Sequence, residues 1–320
     1  MQLRPLGDTG LQIAPLVFGG NVFGWTVDER RSFELLDAFV DAGFNAIDTA
    51  DVYSRWVPGH DGGESETIIG RWLAAKPSRR DKVLLFTKVG SDMGDDRRGL
   101  GKRWIERAAE DSLRRLQVDV IDLYQSHRPD ADTPHEETLA AYRRLLDAGK
   151  IRAIGCSNFD ATQLADAHRA ARAHGLPTYR TLQPEYNLCD RASYDGPLRE
   201  LAIELGLGVI PYYSLASGFL TGKYRTQQDL SKSPRGAGVR KYLTPRGLAI
   251  LAALDDVGAH HGTGPAEVAL AWLMARAGVT APIASATSLA QMKSFSTAAA
   301  LALSADERAA LDRASAPATA

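Results

Sequence analysis

Short apolar runs suited to buried strands alternate with helical patterns along this whole chain. The runs fall near residues 15–19, 45–49, 83–88, 120–126, 151–156, 179–184, 208–213 and 281–286. Strand followed by helix, repeated, calls for a parallel sheet, because a parallel neighbour can be reached only by a crossover. Eight such units are the number that closes a (β/α)8 barrel. The expected fold class is therefore α/β, a TIM barrel forming one domain over 1–320. Residues 1–13 are expected to form a hairpin, with Asp8-Thr9-Gly10 as its turn, that could plug one end of the barrel.

The intervening segments carry helix signals. Phe33, Leu36, Phe39 and Val40 recur at helical spacing, and Gly43 stands where the chain should leave the helix. Thr133-Pro134-His135-Glu136 offers an N-cap, a first-turn proline and a capping-box glutamate. Ser304-Ala305-Asp306-Glu307 repeats the capping box before a last helix, surplus to the eight and expected outside the barrel. Spacing shows where the barrel is decorated. Asp48 to Lys88 is 40 residues and Lys88 to His127 is 39, but Tyr213 to Ser285 is 72. The excess holds a Gly/Ser/Lys/Arg-rich loop at about 215–243 and two helical patterns, 244–260 and 264–277. A long loop beside the last two strands, on the C-terminal face, is where barrels place a phosphate site.

The strand ends carry the chemistry. Asp48, Lys88 and His127 each close an apolar run, and Tyr53 sits five residues past Asp48. Taken singly, each has an ordinary explanation: Lys88 could pair with a structural carboxylate, Asp48 could cap a loop, and His127 could be a core histidine. Together, on successive strands of a parallel barrel, they would meet at one face. A free phenol is a poor acid near neutrality, with a pKa of about 10. A neighbouring ammonium favours the phenolate and lowers that pKa, a carboxylate holds the lysine charged, and an imidazole can hydrogen-bond a carbonyl oxygen. Such a group can donate a proton to an oxygen gaining negative charge.

The later strand ends are polar too. Ser157, Asn158 and Gln183 could together hold a carboxamide, and Tyr213 could stack on a flat ring. Bulk properties remove other classes of function. The net charge of -1 gives no reason to expect nucleic acid or an anionic membrane as partner. No stretch approaches membrane-spanning length, and the first residues lack the apolar run of a secretion signal. Two cysteines, Cys156 and Cys189, read as free thiols in a reducing cytoplasm. No His/Cys/carboxylate cluster shows metal-ligand spacing, so no metal is expected.

At this point the sequence resembles the aldo-keto reductase family, in particular bacterial members related to its channel β-subunit-like and general-stress branches. The resemblance is carried by Phe44-Asn45-Ala46-Ile47-Asp48-Thr49-Ala50 followed by Tyr53, by Thr87-Lys88, and by Asp122-Leu123-Tyr124-Gln125-Ser126-His127. Gly155-Cys156-Ser157-Asn158-Phe159 and Tyr213-Ser214-Leu215-Ala216-Ser217-Gly218, followed by Thr221-Gly222-Lys223, extend it. The resemblance implies a barrel that binds an extended nicotinamide cofactor without a G-x-G-x-x-G motif. It implies that Tyr53 is the general acid, that Lys88 and Asp48 tune it, and that His127 orients the carbonyl. Ser157, Asn158 and Gln183 would hold the carboxamide and Tyr213 would stack on the nicotinamide. Ser214, Leu215, Ser217, Gly218 and Lys223 would line the diphosphate, with Arg235 a further candidate.

One departure concerns the last strand. Many members carry cations there that grip the adenosine 2′-phosphate, but this chain has Ala286 and Gln291 in those places. Thr287 and Ser288 still offer hydroxyls at a helix N-terminus, which favours anions, and Ser285, Thr287 and Gln291 are the cofactor candidates of this segment. NADP(H) is the expected cofactor, with NAD(H) the alternative. The expected partner is a small carbonyl substrate, and no protein partner is readable. Trp25 and Trp56 would lie by the barrel mouth and suit an apolar, aromatic or sugar-like carbonyl, or they pack mobile loops. The function expected is interconversion of an aldehyde or ketone and an alcohol. The alternatives are a cofactor-binding regulatory subunit of the same fold, and an aldolase-type barrel in which Lys88 forms a Schiff base.

Overall fold

The computed structural model describes residues 1–233 and 236–317. Two short strands, β1 (Arg4–Pro5) and β2 (Gln12–Ile13), pair antiparallel. Eight parallel strands follow: β3 (Val17–Gly19), β4 (Ala46–Asp48), β5 (Leu84–Val89), β6 (Ile121–Ser126), β7 (Ile151–Ser157), β8 (Thr181–Gln183), β9 (Gly208–Val209) and β10 (Ile283–Ala284). They are hydrogen-bonded in the order β10-β3-β4-β5-β6-β7-β8-β9. The seam is bridged as well: Thr280 N–H donates to Val209 O at 2.8 Å and Ile283 N–H to Pro211 O at 2.8 Å. The eight-unit barrel expected from the sequence is thus the one observed.

Helices α1 (Glu29–Asp41), α2 (Glu64–Ala75), α3 (Lys102–Leu116), α4 (His135–Asp147), α5 (Ala161–Ala173) and α6 (Pro197–Glu204) follow β3 to β8 in turn. After β9 come a single turn, α7 (Gly236–Val239), and then α8 (Pro245–His261) and α9 (Pro265–Ala275). Two helices follow β10: α10 (Leu289–Ala300) and α11 (Ala305–Ala314), the latter packed against α8 outside the barrel. Its capping box is formed: Ser304 Oγ accepts from Glu307 N–H, and Glu307 returns the bond to Ser304 N–H. No helix among the described residues is long and apolar enough to cross a membrane.

Two expectations need correction. Thr133 does not cap α4. Its hydroxyl donates to Asp130 Oδ2 instead, and Pro134, in extended conformation, holds the cap position with no side-chain bond. The segment 215–243 is not featureless loop: it contains 3₁₀ turns at Ala216–Thr221, Gln227–Lys232 and Arg240–Tyr242 as well as α7.

Strand alternation builds the floor of the site. Val17, Ala46, Phe86, Leu123 and Ala153 point into the barrel, where Leu6, Leu11 and Ile13 of the hairpin close its lower end over them. Their neighbours Phe18, Ile47, Leu85, Tyr124 and Ile154 point out into the larger core beneath the helices. Two residues on, the same inward register carries Asp48, Lys88, Gln125 and Gly155. Gly155 belongs to this layer for lack of space, since a Cβ there would lie 2.0 Å from Thr181 Oγ1.

Candidate active site

Lys88 is the hub. Its Nζ donates to Asp48 Oδ2 at 2.6 Å, to Thr49 O at 2.8 Å and to Tyr53 Oη at 2.9 Å, and the side chain is fully buried. An unpaired charge there would cost several kcal/mol, so the carboxylate partner is required. Burial lowers the Lys88 pKa, but Asp48 and then Tyr53 outweigh it and hold the ammonium above its ordinary value. That is the wrong direction for a Schiff-base lysine, which has to lose its proton to attack a carbonyl.

Asp48 is held from three sides. Besides Lys88, its Oδ1 accepts from Gln183 Nε2 at 2.9 Å and Gln125 Nε2 at 3.3 Å. Tyr53 is positioned by the turn after β4, where its N–H donates to Ala50 O. Burial pushes its phenol above the ordinary tyrosine value, while the Lys88 charge pulls the other way without prevailing. The neighbouring ammonium alone would lower this pKa, as expected from the sequence, but desolvation at the cavity floor reverses the sign. His127 completes the group, its ring 6.0 Å from that of Tyr53. Burial, then Lys88 and Arg128, push its pKa well below the histidine range, so the imidazole is neutral. Ser91 Oγ lies 3.1 Å from His127 Nδ1. If that hydroxyl is the donor, the imidazole proton sits on Nε2.

The residues expected to hold a carboxamide do come together, but most of their polar atoms are engaged. Ser157 Oγ donates to Gln183 O at 2.7 Å. Asn158 Nδ2 donates to His127 O, and its Oδ1 accepts from Tyr212 Oη. Gln183 Nε2 faces Asp48. Tyr213 stands in the left-handed region at φ 53° with its side chain 47% exposed, a ring available as a platform. Ala216 and Ser217 also have positive φ, followed by Gly218 at 99°. Strain of this kind, roughly 1–3 kcal/mol per residue, gathers at ligand sites.

Further along, Ser214, Leu215, Ser217, Gly218 and Lys223 line the same cavity as Asp48, Tyr53 and His127, which form a tetrad with the buried Lys88. The Lys223 ammonium lies over the Tyr224 ring at 5.0 Å. Ser285 Oγ donates to Asn21 Oδ1 at 2.7 Å. Gln291 turns back on its own helix: its Oε1 accepts from Thr287 N–H at 2.7 Å and Thr287 Oγ1 at 3.2 Å. Trp25 and Trp56 are at the mouth, edge to face at 5.7 Å, with Trp56 48% exposed. Arg235 lies outside the described residues. Sequence reasoning missed Ser91 and Asn21 and gave Gln125 no role.

Asp48, Tyr53, His127, Ser157, Asn158, Gln183, Tyr213 and the two tryptophans open on one cavity of about 1530 Å³. Pockets for one small molecule usually measure about 300–1,000 Å³. The space therefore suits two ligands, one extended along β7 to β10 and one between the tetrad and the tryptophans.

A family model described as the aldo/keto reductase family matches residues 15–316, and the chain belongs to that family. Its members are oxidoreductases that generally use nicotinamide cofactors. The uncharacterized oxidoreductase YrpG of Bacillus subtilis (strain 168) is 35% identical over 299 residues, 92% of this chain and 89% of that one. A probable voltage-gated potassium channel subunit beta of Oryza sativa subsp. japonica is 33% identical over 294 residues, 90% of this chain and 88% of that one. An uncharacterized 11.2 kDa protein in the crtE 3′ region of Pseudescherichia vulneris is 71% identical over 93 residues, 29% of this chain and 90% of that one.

Proposed function

We propose that this chain interconverts an aldehyde or ketone and the corresponding alcohol, with NADP(H) as cofactor and Tyr53 as general acid and base. The observation that carries the reading is the buried Lys88 ammonium bonded at once to Asp48, Thr49 O and the Tyr53 phenol. A reduced nicotinamide, when bound, supplies a hydride to the carbonyl carbon. Tyr53 donates its proton to the carbonyl oxygen as negative charge develops there, and Lys88 stabilises the phenolate left behind. With Ser91 Oγ donating to Nδ1, the neutral His127 carries its proton on Nε2 and donates a second hydrogen bond to that oxygen. Asp48, clamped by Gln125 and Gln183, keeps Lys88 charged and aimed. In the oxidative direction the phenolate is the base and the steps reverse.

The cofactor would lie along the polar ends of β7 to β10. The backbone oxygen of Gln183 is taken by Ser157 Oγ, but its side-chain Oε1 has no hydrogen bond among the described residues and would accept from the carboxamide. Tyr213 would flank the ring, and Ser217, Gly218 and Lys223 would face the diphosphate. Likeness to a channel subunit favours a second reading, a cofactor-binding regulatory protein with little turnover. The complete tetrad weighs against it. Turnover assays over a panel of aldehydes and ketones with NADPH and NADH separate the two. Tight cofactor binding without turnover of any carbonyl would leave only the regulatory reading.

A further inference from the structure

The substrate half of the cavity is lined by two unlike sets of residues. One is Trp25 and Trp56, with Trp56 continuing edge-on to Tyr53 at 6.0 Å. The other comes from the segments after β5 and β6, which present Asp92, Arg98, Arg128, Asp130 and Asp132 to the same space. Both signs of charge occur here, so the deciding matter is which groups are already engaged. Asp130 Oδ2 accepts from Leu100 N–H and the Thr133 hydroxyl, and its Oδ1 accepts from Asp132 N–H. Partial burial opposes ionisation, yet these bonds hold the Asp130 carboxyl below the usual range. Asp92 accepts from Gly94 N–H, bracing its own loop. Asp132 is exposed at the rim.

The two arginines differ from these carboxylates. Among the described residues, neither the Arg98 nor the Arg128 guanidinium has a hydrogen bond or ion pair. Each offers five N–H donors, keeps its charge at any working pH, and matches a carboxylate or phosphate two bonds at a time. Arg128 is also near enough to His127 to help depress its pKa, which places a free cation within electrostatic reach of the carbonyl position.

We propose that the substrate is an anionic carbonyl compound. Its carboxylate or phosphomonoester is taken by Arg98 and Arg128, its carbon body packs on Trp25 and Trp56, and its carbonyl meets Tyr53 and His127. The proposal rests on the carbonyl-reductase reading above and goes beyond it by naming the substrate class.

The test compares 4-formylbenzoate with 4-formylbenzamide, which are alike in ring and size but differ in charge. At low ionic strength kcat/KM for the acid exceeds that for the amide by about tenfold or more, mainly through KM, and the ratio shrinks with salt. R98Q and R128Q each reduce the ratio, and the double substitution brings it close to one. Glyceraldehyde 3-phosphate against glyceraldehyde repeats the comparison for a phosphomonoester, and the larger ratio identifies the preferred anion. A wild-type ratio near one for both pairs, with all four aldehydes reduced, overturns the anion assignment and leaves the reductase reading intact. So does a ratio that the double substitution leaves unchanged. Calorimetric titration of the cofactor-loaded protein with the same pairs reads binding without turnover. Tighter binding of the anion, lost in the double variant, supports the assignment even if no aldehyde is reduced, and it is then the reductase reading that fails.

Discussion

The two ends of the cavity are built by different rules. At the floor, Asp48, Lys88, Gln125 and Gln183 are buried, and each is bonded within the set. At the far end, Lys223, Thr287 and Gln291 are exposed, on segments after β9 and β10, with polar atoms turned to solvent or to their own backbone. A buried charge cannot wait for its partner, because desolvation alone would cost several kcal/mol. The floor is therefore organised before any ligand arrives. An exposed group can wait, with water or a helix end as its interim partner. On the proposed reading the chemistry is thus fixed by the barrel's inner layer, and cofactor choice would be left to positions where one substitution costs the fold little.

The sharpest way to break this contrast is at the floor. Tyr53→Phe is expected to lower kcat for carbonyl reduction by about 10² to 10⁴, the usual worth of a general acid, with cofactor affinity nearly unchanged. Steady-state kinetics and a cofactor titration check both halves, and a variant keeping more than a tenth of wild-type kcat would remove Tyr53 from its role. Lys88→Met is expected to be comparably damaging, and the double variant no worse than Tyr53→Phe alone, because Lys88 acts through the phenol. Multiplicative losses in the double variant would give Lys88 a separate task.

The pH profile tests the same centre more gently. On the proposed mechanism reduction needs the protonated phenol, so kcat is expected to fall as pH rises through the Tyr53 pKa. With that pKa held above its ordinary value by burial, the falling limb should lie beyond pH of about 10. Burial, then Lys88 and Arg128, hold His127 well below the ordinary histidine value, so its protonation should leave no step near pH of about 6.5. Lys88→Met removes the charge that opposes burial, and any residual activity should show its limb displaced further upward. A limb near neutrality in the wild-type chain would mean that the ammonium prevails once cofactor is bound.

Which parts of this were legible follows from the physics of each part. Asp48, Lys88 and Gln183 announce themselves because an apolar strand pattern ends on a polar residue in the inward register. The hairpin plug was readable from its turn. Ser91 and Asn21 were not, since each is an ordinary polar residue in a turn whose partner, His127 or Ser285, is distant in sequence. The misread cap at Thr133 has a local cause: Asp130, three residues earlier, competes for the same hydroxyl. Nothing in side-chain propensity marks Ala216 and Ser217 for positive φ. That turn is closed by backbone bonds local to it, with Leu215 O accepting from both Gly218 N–H and Leu220 N–H. The sign of the Tyr53 shift was lost for a different reason, because depth of burial is a property of the assembled barrel.

The smallest expected effect sharpens the comparison from the far end. A 2′-phosphate approaching the start of α10 meets Thr287 N–H and Oγ1 already bonded to Gln291 Oε1, with Ser288 Oγ accepting from Gln291 N–H. The phosphate must displace the glutamine oxygen to use those donors, and what it then gains is an exposed helix end worth about 0.3–1 kcal/mol together with neutral hydroxyls. NADPH is therefore expected to bind more tightly than NADH by only about tenfold at low ionic strength. Gln291→Arg removes the competing oxygen and adds a charged donor whose hydrogen bonds are worth about 1.5–3 kcal/mol each, discounted for exposure. A further widening of about tenfold is expected, while kcat with saturating NADPH stays as it was. Fluorescence titration of both cofactors against wild type and variant, at matched salt, checks this. Equal dissociation constants in the wild type would remove NADP from the assignment, and a preference for NADH would place an NAD-linked enzyme on the same catalytic floor.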